Sequence, residues 1–407
     1  MGVSEEKEYP FINEMIVPKK KNKWLVRLET LVVVVVVAVV FGFVARWAFL
    51  ISDGYLKSWL GIEEQQRIEL VGTRQNSIVN GELSNEQTGY EQINKIAEHI
   101  ASSIVTIKLT REKMDLFQEP YIVNVYTTGV IISKSDTKLF ILTDVEKMLE
   151  DDCVTVCFNE MEFSGEIYCM EKDYGIAIIS VTLSTIPKEL LETIVFASFG
   201  NDKITVGTQV LALGRPNGYD SMVVSRITSR GHSVSVLDGA VPYFTTDMID
   251  HRSGNGFLFN FNGELLGMVT HVYKQDVNDE ISSAISLNEI RCVIESCLNL
   301  ESIALFGIKG TDLPTSMQWL RTEDGNLELL HGVYVTEVQS SSPAFHLGLK
   351  VGEIIVEMNG KEISGITQFK ELLLNYDVGD NVWLKVYSKE KNDYYTSGVK
   401  LVKKNKK

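Results

Sequence analysis

The chain has 407 residues, enough for two or three domains with their own cores, and 44% of them are apolar. Its 39 Lys and Arg stand against 54 Asp and Glu, and the net charge of -15 argues against a nucleic-acid partner, because phosphate neutralisation needs clustered cations. Its five cysteines, without a Cys-x-x-Cys pair, are too few for a disulfide scaffold and indicate no structural zinc site. We therefore expect no metal and no other cofactor.

An apolar segment near the N-terminus is the clearest physical signal in the chain. Residues 30–45 carry no charge, Arg46 interrupts the run, and apolar residues then continue to Ile51. About 20 residues with a rise of about 1.5 Å each would cross a hydrocarbon core of roughly 30 Å. The run of consecutive valines is β-prone, so a buried core strand or helix is the alternative, but the length and the flanks favour a membrane helix.

The charges beside this segment predict its orientation. Basic residues from Lys19 to Arg27 precede it closely, which by the positive-inside rule places the N-terminus in the cytoplasm. We predict a cytoplasmic segment over 1–29, a single transmembrane helix over 30–51 and a polar linker over 52–87. The rest of the chain would then lie on the extracytoplasmic side of the cell membrane.

The region after the linker begins as a helix and continues as strands. Apolar residues from Tyr90 to Ile100 recur at helical spacing. Short β-prone runs separated by turn residues then follow, among them "YIVNVYTTGVIIS", "LFILTD", "CVTVCF", "YGIAIISV" and "ELLGMVTHVY". Short strands at this spacing, without helices between them, indicate an all-β barrel or sandwich.

The order of these pieces carries a family resemblance. In chain order they are "TTGVIIS", "FILTDVEKM", "YGIAIISV", "VGTQVLALGRPNG", "VVSRITS" and "FTTDMIDHRSGNGFLFNFNGELLGMV". In this order they resemble the HtrA (DegS/DegP-type) serine protease family over residues 88–298. The resemblance implies a mainly β fold, a trypsin-like double β-barrel, and a homotrimer formed through the protease-like domain.

A serine protease needs a hydroxyl nucleophile, a histidine base and a carboxylate that orients the base. The family's histidine follows a Leu-Thr-x-x pattern, and here that position is Glu146. The family's aspartate position falls on Gly175, because Asp173 lies two residues too early, about 6–7 Å away along a strand. Counted backward from the next strand, the nucleophile position falls on Gly254, although one inserted residue would place Ser253 there. At least two of the three triad members are thus missing by type, which predicts a degenerate triad.

Neighbouring residues could in principle replace the missing groups. Glu146 would be a poor base for Ser253, because carboxylates are weak bases toward a hydroxyl. A Ser253–His251 dyad is geometrically easier, and it keeps an active serine endopeptidase with an unconventional site as the alternative function. We favour the interpretation that residues 250–252 are a solvated loop and that isolated histidines elsewhere, such as His271, are structural or at the surface.

The last region contains the most specific motif. The stretch "HGVYVTEVQSSSPAFHLGLKVGEIIVEMNGKEISGITQFKELLLNYDVGDNVWLKVYS" resembles a bacterial PDZ domain, which implies an α+β domain over 299–403. Within it, Asn359 and Gly360 form a predicted hairpin turn, and Thr367 is the predicted N-cap of an amphipathic helix. Residues 311–331 are predicted to be an inserted loop, and the final "KLVKKNKK" a solvated basic tail.

The segment "ALFGIKG" matches the carboxylate-binding loop of PDZ domains. By this resemblance, backbone amides of the loop bind a peptide C-terminus while the peptide adds a strand to the sheet edge. An apolar pocket beside the amphipathic helix would hold the last side chain of the peptide, although the same residues could simply be core. The peptide-binding candidates are Phe306, Gly307, Ile308, Phe369, Leu372 and Leu373.

Together these elements predict a membrane-anchored HtrA-like protein that is catalytically inactive. Its partners would be misfolded or exported proteins, bound by their C-termini in envelope protein quality control, and the membrane, crossed by one helix. An active endopeptidase acting through Ser253 is the alternative. A purely structural envelope protein, by contrast, would bind no peptide.

Overall fold

The computed structural model describes residue 68, residue 70 and residues 86–404, except 159–160, 201–203, 217, 252, 272–280, 301–303, 315–318 and 322–326. These described residues all fall within one compact unit. The predicted cytoplasmic segment, the predicted transmembrane helix and most of the linker lie outside them. Within the described part of the chain, no helix is both long and apolar enough to cross a membrane.

Six antiparallel strands form a first barrel. They are β1 (Ile104–Met114), β2 (Pro120–Lys134), β3 (Lys138–Asp144), β4 (Cys153–Phe158), β5 (Met161–Glu171) and β6 (Ile176–Thr182). The barrel closes in the order β1-β2-β3-β6-β5-β4, and helix α1 (Glu86–Ala101) precedes it. Every second residue of β1 points inward, so Val105, Ile107 and Leu109 are buried in the barrel core.

Seven further strands form a second sheet that also closes on itself. They are β7 (Ser198–Phe199), β8 (Gln209–Arg215), β9 (Ser221–Val236), β10 (Gly239–Ile249), β11 (Asn255–Phe259), β12 (Glu264–Thr270) and β13 (Ile281–Ser286). Their order is β11-β8-β9-β10-β13-β12-β7, and an additional β11–β12 pairing closes the sheet. Helices α2 (Lys188–Thr193) and α3 (Arg291–Leu298) flank this sheet in the sequence. The predicted double β-barrel is therefore confirmed.

The C-terminal part combines a sheet with two short helices, α4 (Pro343–Leu347) and α5 (Ile366–Leu373). Its strands are β14 (Ala304–Leu305), β15 (Ile308–Asp312), β16 (Trp319–Arg321), β17 (Leu327–Leu329), β18 (Val333–Val338), β19 (Ile354–Met358), β20 (Lys361–Glu362), β21 (Asn381–Ser388), β22 (Asp393–Lys400) and β23 (Val402–Lys403). The main sheet has the order β15-β18-β19-β21-β22, with β20 added to β19. This arrangement confirms the predicted α+β domain.

Local details of this domain differ from the sequence predictions in one place and agree in another. Asn359 and Gly360 have φ angles of 50° and 76°, as a hairpin turn with two left-handed residues requires. The predicted N-cap is wrong, because α5 begins at Ile366 and Thr367 lies within its first turn. The N–H of Ile366 donates to Oδ1 of Asp312 at 2.8 Å, so a side chain from β15 satisfies the helix end instead.

The C-terminal tail is bound to the fold. β23 pairs with β14, and Nζ of Lys404 lies 3.0 Å from the carboxylate of Glu171 and 2.8 Å from that of Asp173. The prediction of a solvated tail is therefore wrong at Lys404, whose side chain forms ion pairs with two carboxylates of the first barrel, while the side chains of Val402 and Lys403 are exposed. Residues 311–331, predicted to be a loop, contain the β16–β17 hairpin.

Candidate functional site: a protease-like cleft and a carboxylate-binding loop

The turn after β3 lies where the family resemblance places a histidine. Glu146 is in this turn, and its N–H donates to Oδ1 of Asp144 at 2.8 Å. Gly175 directly precedes β6, whose first residue, Ile176, pairs with Asp144. The carbonyl of Gly175 accepts a hydrogen bond from the N–H of Val145 at 3.1 Å. The two predicted triad positions are thus brought together, but one carries a carboxylate and the other carries no side chain.

A buried carboxyl group lies at the base of this turn. Asp144 is 2% exposed, and its Oδ2 has no hydrogen-bond partner among the described residues. Burial raises the pKa of Asp144 to about 7, and the charge of Glu146 adds to the shift. The N–H of Glu146 and electrostatic interactions with Lys147 and His271 oppose it. This carboxyl can therefore exchange a proton near neutral pH, a property typical of functional clefts.

The turn between β10 and β11 carries the predicted serine. Oγ of Ser253 lies 2.8 Å from Nδ1 of His251, and both residues are exposed. The structure therefore brings together the dyad that the sequence made conceivable. No carboxylate among the described residues makes a hydrogen bond with His251, so the group that would orient a catalytic base is lacking.

Gly254, the other candidate for the nucleophile position, has no room for a side chain. Its N–H donates to the carbonyl of His251 at 2.5 Å, which closes a tight turn. A Cβ at this position would overlap the carbonyl oxygen of Pro216. The next residue, Asn255, is buried, and its Oδ1 accepts from Oγ1 of Thr128 at 3.0 Å, which ties the turn to the first barrel. The N–H that an oxyanion hole would use is therefore already occupied.

An acidic–histidine pair lies beside this turn, and the sequence analysis missed it. Nδ1 of His271 and Oδ1 of Asp250 are 3.0 Å apart, which is within ion-pair range. Both side chains are largely buried, and the two atoms are not aligned as a hydrogen bond. Nε2 of His271 lies 2.7 Å from the carbonyl of Gly254, and Nζ of Lys147 donates to the carbonyl of Ser253 at 2.7 Å. The predicted solvated loop is therefore wrong at Asp250. The polar groups of this cleft contact backbone carbonyls of the turn.

The amides predicted to bind a peptide carboxylate already bind a carboxylate from the same chain. The N–H of Phe306 donates to Oδ2 of Asp238 at 2.8 Å, and those of Gly307 and Ile308 donate to Oδ1 at 2.7 and 2.9 Å. Asp238 lies in the turn between β9 and β10 and is buried. The loop thus has carboxylate-binding geometry, and its occupant is a side chain of the second barrel.

The apolar candidates lie beneath this loop. Phe369 and Leu373 are fully buried in a cluster that also contains Phe306 and Ala240, while Leu372 is half-buried at its edge. The rings of Phe306 and Phe369 meet edge to face at 5.7 Å between centroids. Two of the three pocket candidates are therefore core residues in this state, and a role in holding a ligand side chain stays a prediction.

A buried lysine completes the surroundings of Asp238. Lys370 on α5 is 4% exposed, and its Nζ lies 5.9 Å from the ring centroid of Tyr174. Burial raises the pKa of Asp238, while Lys370 and the amide donors of the loop oppose the rise. Burial lowers the pKa of Lys370, and the charge of Asp238 opposes that change. Among the described residues, no group of three or more His, Cys, Asp and Glu is arranged to hold a metal ion.

Comparison with known proteins agrees with this architecture. The PDZ domain family model matches residues 307–396. The chain is 31% identical over 264 residues to a probable periplasmic serine protease do/HhoA-like of Haemophilus influenzae, a match that covers 63% of this chain and 54% of that protein. It is 26% identical over 301 residues to the serine protease Do-like HtrA of Bacillus subtilis, covering 69% and 64%. The chain therefore spans 54 to 64% of the length of these relatives.

Solved structures share the fold at lower sequence identity. The HtrA-type protease AlgW with a tripeptide superposes with a TM-score of 0.57 at 17% identity, covering 77% of this chain and 98% of AlgW. AlgW with a decapeptide gives 0.55 at 16% identity, covering 77% and 99%. This chain and AlgW therefore have the same fold, a double barrel followed by a PDZ domain.

Proposed function

Because the chain belongs to the HtrA family of trypsin-like serine proteases with a C-terminal PDZ domain, we propose that it is a proteolytically inactive, membrane-anchored member of that family. It binds the C-termini of misfolded or exported proteins as part of envelope protein quality control. The relatives are named serine proteases, so loss of hydrolysis is a departure from them and rests on residues of this chain.

The observation that carries the loss of hydrolysis is the turn around Gly254. A nucleophile there would overlap the carbonyl of Pro216, and the N–H of Gly254 is bound to the carbonyl of His251. The base position holds Glu146, and the orienting position holds Gly175. Loss of a general base alone typically costs about 10²–10⁴-fold in rate, and loss of the whole catalytic unit costs about 10⁶-fold.

Peptide binding and membrane anchoring rest on separate features. Three amides in the loop at Gly307 converge on one carboxylate, which is the geometry that a peptide C-terminus needs. The anchor is supported by the apolar run over 30–51 and the basic residues before it. Several relatives, among them the Haemophilus influenzae protein, carry the word periplasmic in their names, which agrees with an extracytoplasmic location for the folded part. A homotrimer, as the resemblance implies, is part of this proposal.

Hydrolysis can be tested on the full chain purified in detergent. We expect no cleavage of fluorescein-labelled casein above the buffer rate and no labelling by a fluorophosphonate probe, with chymotrypsin as the positive control. The expected rate lies at least about 10⁴-fold below that of the control, because both base and orienting carboxylate are missing.

One observation favours an active endopeptidase as the second candidate. Oγ of Ser253 lies within hydrogen-bond distance of His251, as an activated serine would. Labelling that is lost in Ser253→Ala and retained in Ser102→Ala, a change at an exposed serine outside the cleft, would replace the pseudoprotease proposal with this one.

A further inference from the structure

The turn between β9 and β10 enters the peptide groove of the PDZ domain. The carboxylate of Asp238 accepts hydrogen bonds from all three amides of the loop that includes Gly307. The N–H of Asp238 in turn donates to the carbonyl of Ile308 at 2.7 Å. Side chain and backbone of one residue therefore make the contacts that the C-terminal residue of a bound peptide would make.

The contact continues along the edge of β15. Oγ of Ser235 accepts from the N–H of Gly310 at 3.1 Å and donates to its carbonyl at 2.8 Å. Ala240, on the other side of the turn, packs into the same apolar cluster as Phe306 and Phe369. The segment 235–240 thus occupies the loop, the strand edge and the apolar pocket together.

The turn is shaped for this position. Asp238 has a φ of 56°, in the left-handed region that aspartate tolerates better than most residues. A Cβ at Gly239 would overlap the hydroxyl of Tyr174, so only glycine fits there without a shift. Burial raises the pKa of Asp238, and Lys370, buried in α5, opposes this rise together with the three loop amides. These features hold one carboxylate at the loop and exclude water from it.

We propose that segment 235–240, with Asp238 as its anchor, is an internal ligand of the PDZ domain. A peptide C-terminus and the Asp238 carboxylate need the same three N–H donors, so they bind in a mutually exclusive way. This inference rests on the proposed function, because it describes how the same groove is regulated. A free C-terminus binds only to the fraction of molecules in which the turn has left the groove, and its apparent affinity is reduced by that fraction.

The test compares three full-length proteins in detergent: the wild type, Asp238→Asn and Asp247→Asn. In Asp238→Asn the new side-chain amide would present an N–H donor to the loop amides, which weakens the internal contact. Asp247 lies on the same β10 strand, and its carboxylate binds Ser225 and the N–H of Arg226, away from the groove. The ligand is a fluorescein-labelled decapeptide ending in Val, with a free carboxylate or as its C-terminal amide, followed by fluorescence anisotropy.

We expect the free-acid peptide to bind Asp238→Asn at least about tenfold more tightly than the wild type. Its affinity for Asp247→Asn should equal its affinity for the wild type. The peptide with a C-terminal amide should bind none of the three proteins. Equal affinity of the free acid for wild type and Asp238→Asn would overturn the internal ligand and leave the proposed function intact. Absence of binding to all three proteins, or equal binding of acid and amide, would overturn the proposed function, and the competition with it.

A second measurement needs no variant. Hydrogen exchange of the wild-type chain, with and without saturating free-acid peptide, reports on both sides of the contact. Exchange should increase in segment 235–240, while the amides of Phe306, Gly307 and Ile308 stay protected because a new carboxylate binds them. Unchanged protection of 235–240 in the peptide-saturated protein would contradict displacement.

Discussion

Asp144 is a carboxyl group that the fold buries at the edge of the cleft. Its pKa is about 7 in the folded protein against an ordinary value of 3.8. Between these values the folded state binds more protons than the unfolded state, so the stability contributed by this group falls as the pH rises toward 7 and is lowest above it. Asp144→Asn should raise the free energy of unfolding at pH 8 by about 2–4 kcal/mol, while changing it little at pH 4.

Urea unfolding of the full chain at the two pH values checks this expectation. The exposed Asp136 offers a matched control, since Asp136→Asn makes the same chemical change where no burial penalty exists. A gain in stability from Asp144→Asn that is the same at pH 4 and pH 8 would show that the carboxyl is not the titrating group.

Single positions could be predicted from the sequence where neighbours in the chain fix them. Glu146 was placed by the Leu-Thr-x-x pattern that begins at Leu142, and Gly175 by its position directly before the strand that begins at Ile176. The pairing of β3 with β6, which the motifs did not show, brings the two positions together. The contact of His271 with Asp250 was not visible, because it depends on β12 pairing with β11 and bringing residues 21 apart to one turn. The sequence did offer one signal: His271 directly follows β12, the strand that pairs with β11, and β11 begins just after the turn that contains Ser253.

The tail strand β23 shows how a charged element gains structure from a distant partner. Lys404 is 21% exposed at its side chain and contacts two carboxylates, on Glu171 and Asp173. Lys404→Ala removes these two ion pairs and should lower the free energy of unfolding by about 1–2 kcal/mol, less than the roughly 3–5 kcal/mol typical of fully buried pairs. Thermal unfolding measures the change, and Lys403→Ala, at an exposed neighbour, is the control.

The composition of this tail predicted that it is solvated, because consecutive lysines are usually exposed to solvent. The acidic pair lies on the first barrel, more than 200 residues earlier, so no local pattern could reveal it. The same Lys404 contact explains why Asp173 cannot serve as the triad aspartate, since its carboxylate is held at the tail. If Lys403→Ala lowered stability as much as Lys404→Ala, the loss would come from strand pairing and not from the ion pairs.

At the scale of the whole molecule, the order of domains was readable from the sequence and the contacts between them were not. The strand motifs and the PDZ motif occur in the same order along the chain as in a known family, and this order predicted both folds. The contact of Asp238 with the loop at Gly307 joins residues about 70 positions apart in different domains. A short "LDGA" turn has ordinary hairpin composition, so nothing local distinguished it from a solvent-exposed loop.

The charges of the buried residues Asp238 and Lys370 should therefore couple the second barrel to the PDZ domain energetically. Lys370→Met removes the cation that stabilises the buried Asp238 carboxylate, so the pKa of Asp238 should rise further and stability at pH 7 should fall by about 2–4 kcal/mol. With the carboxylate neutralised in Asp238→Asn, the same lysine change should cost less, giving a coupling energy of about 1–3 kcal/mol. Urea unfolding of the four proteins of this cycle measures it. Additivity within about 0.5 kcal/mol would mean that the charges of Asp238 and Lys370 do not stabilise each other across the two domains.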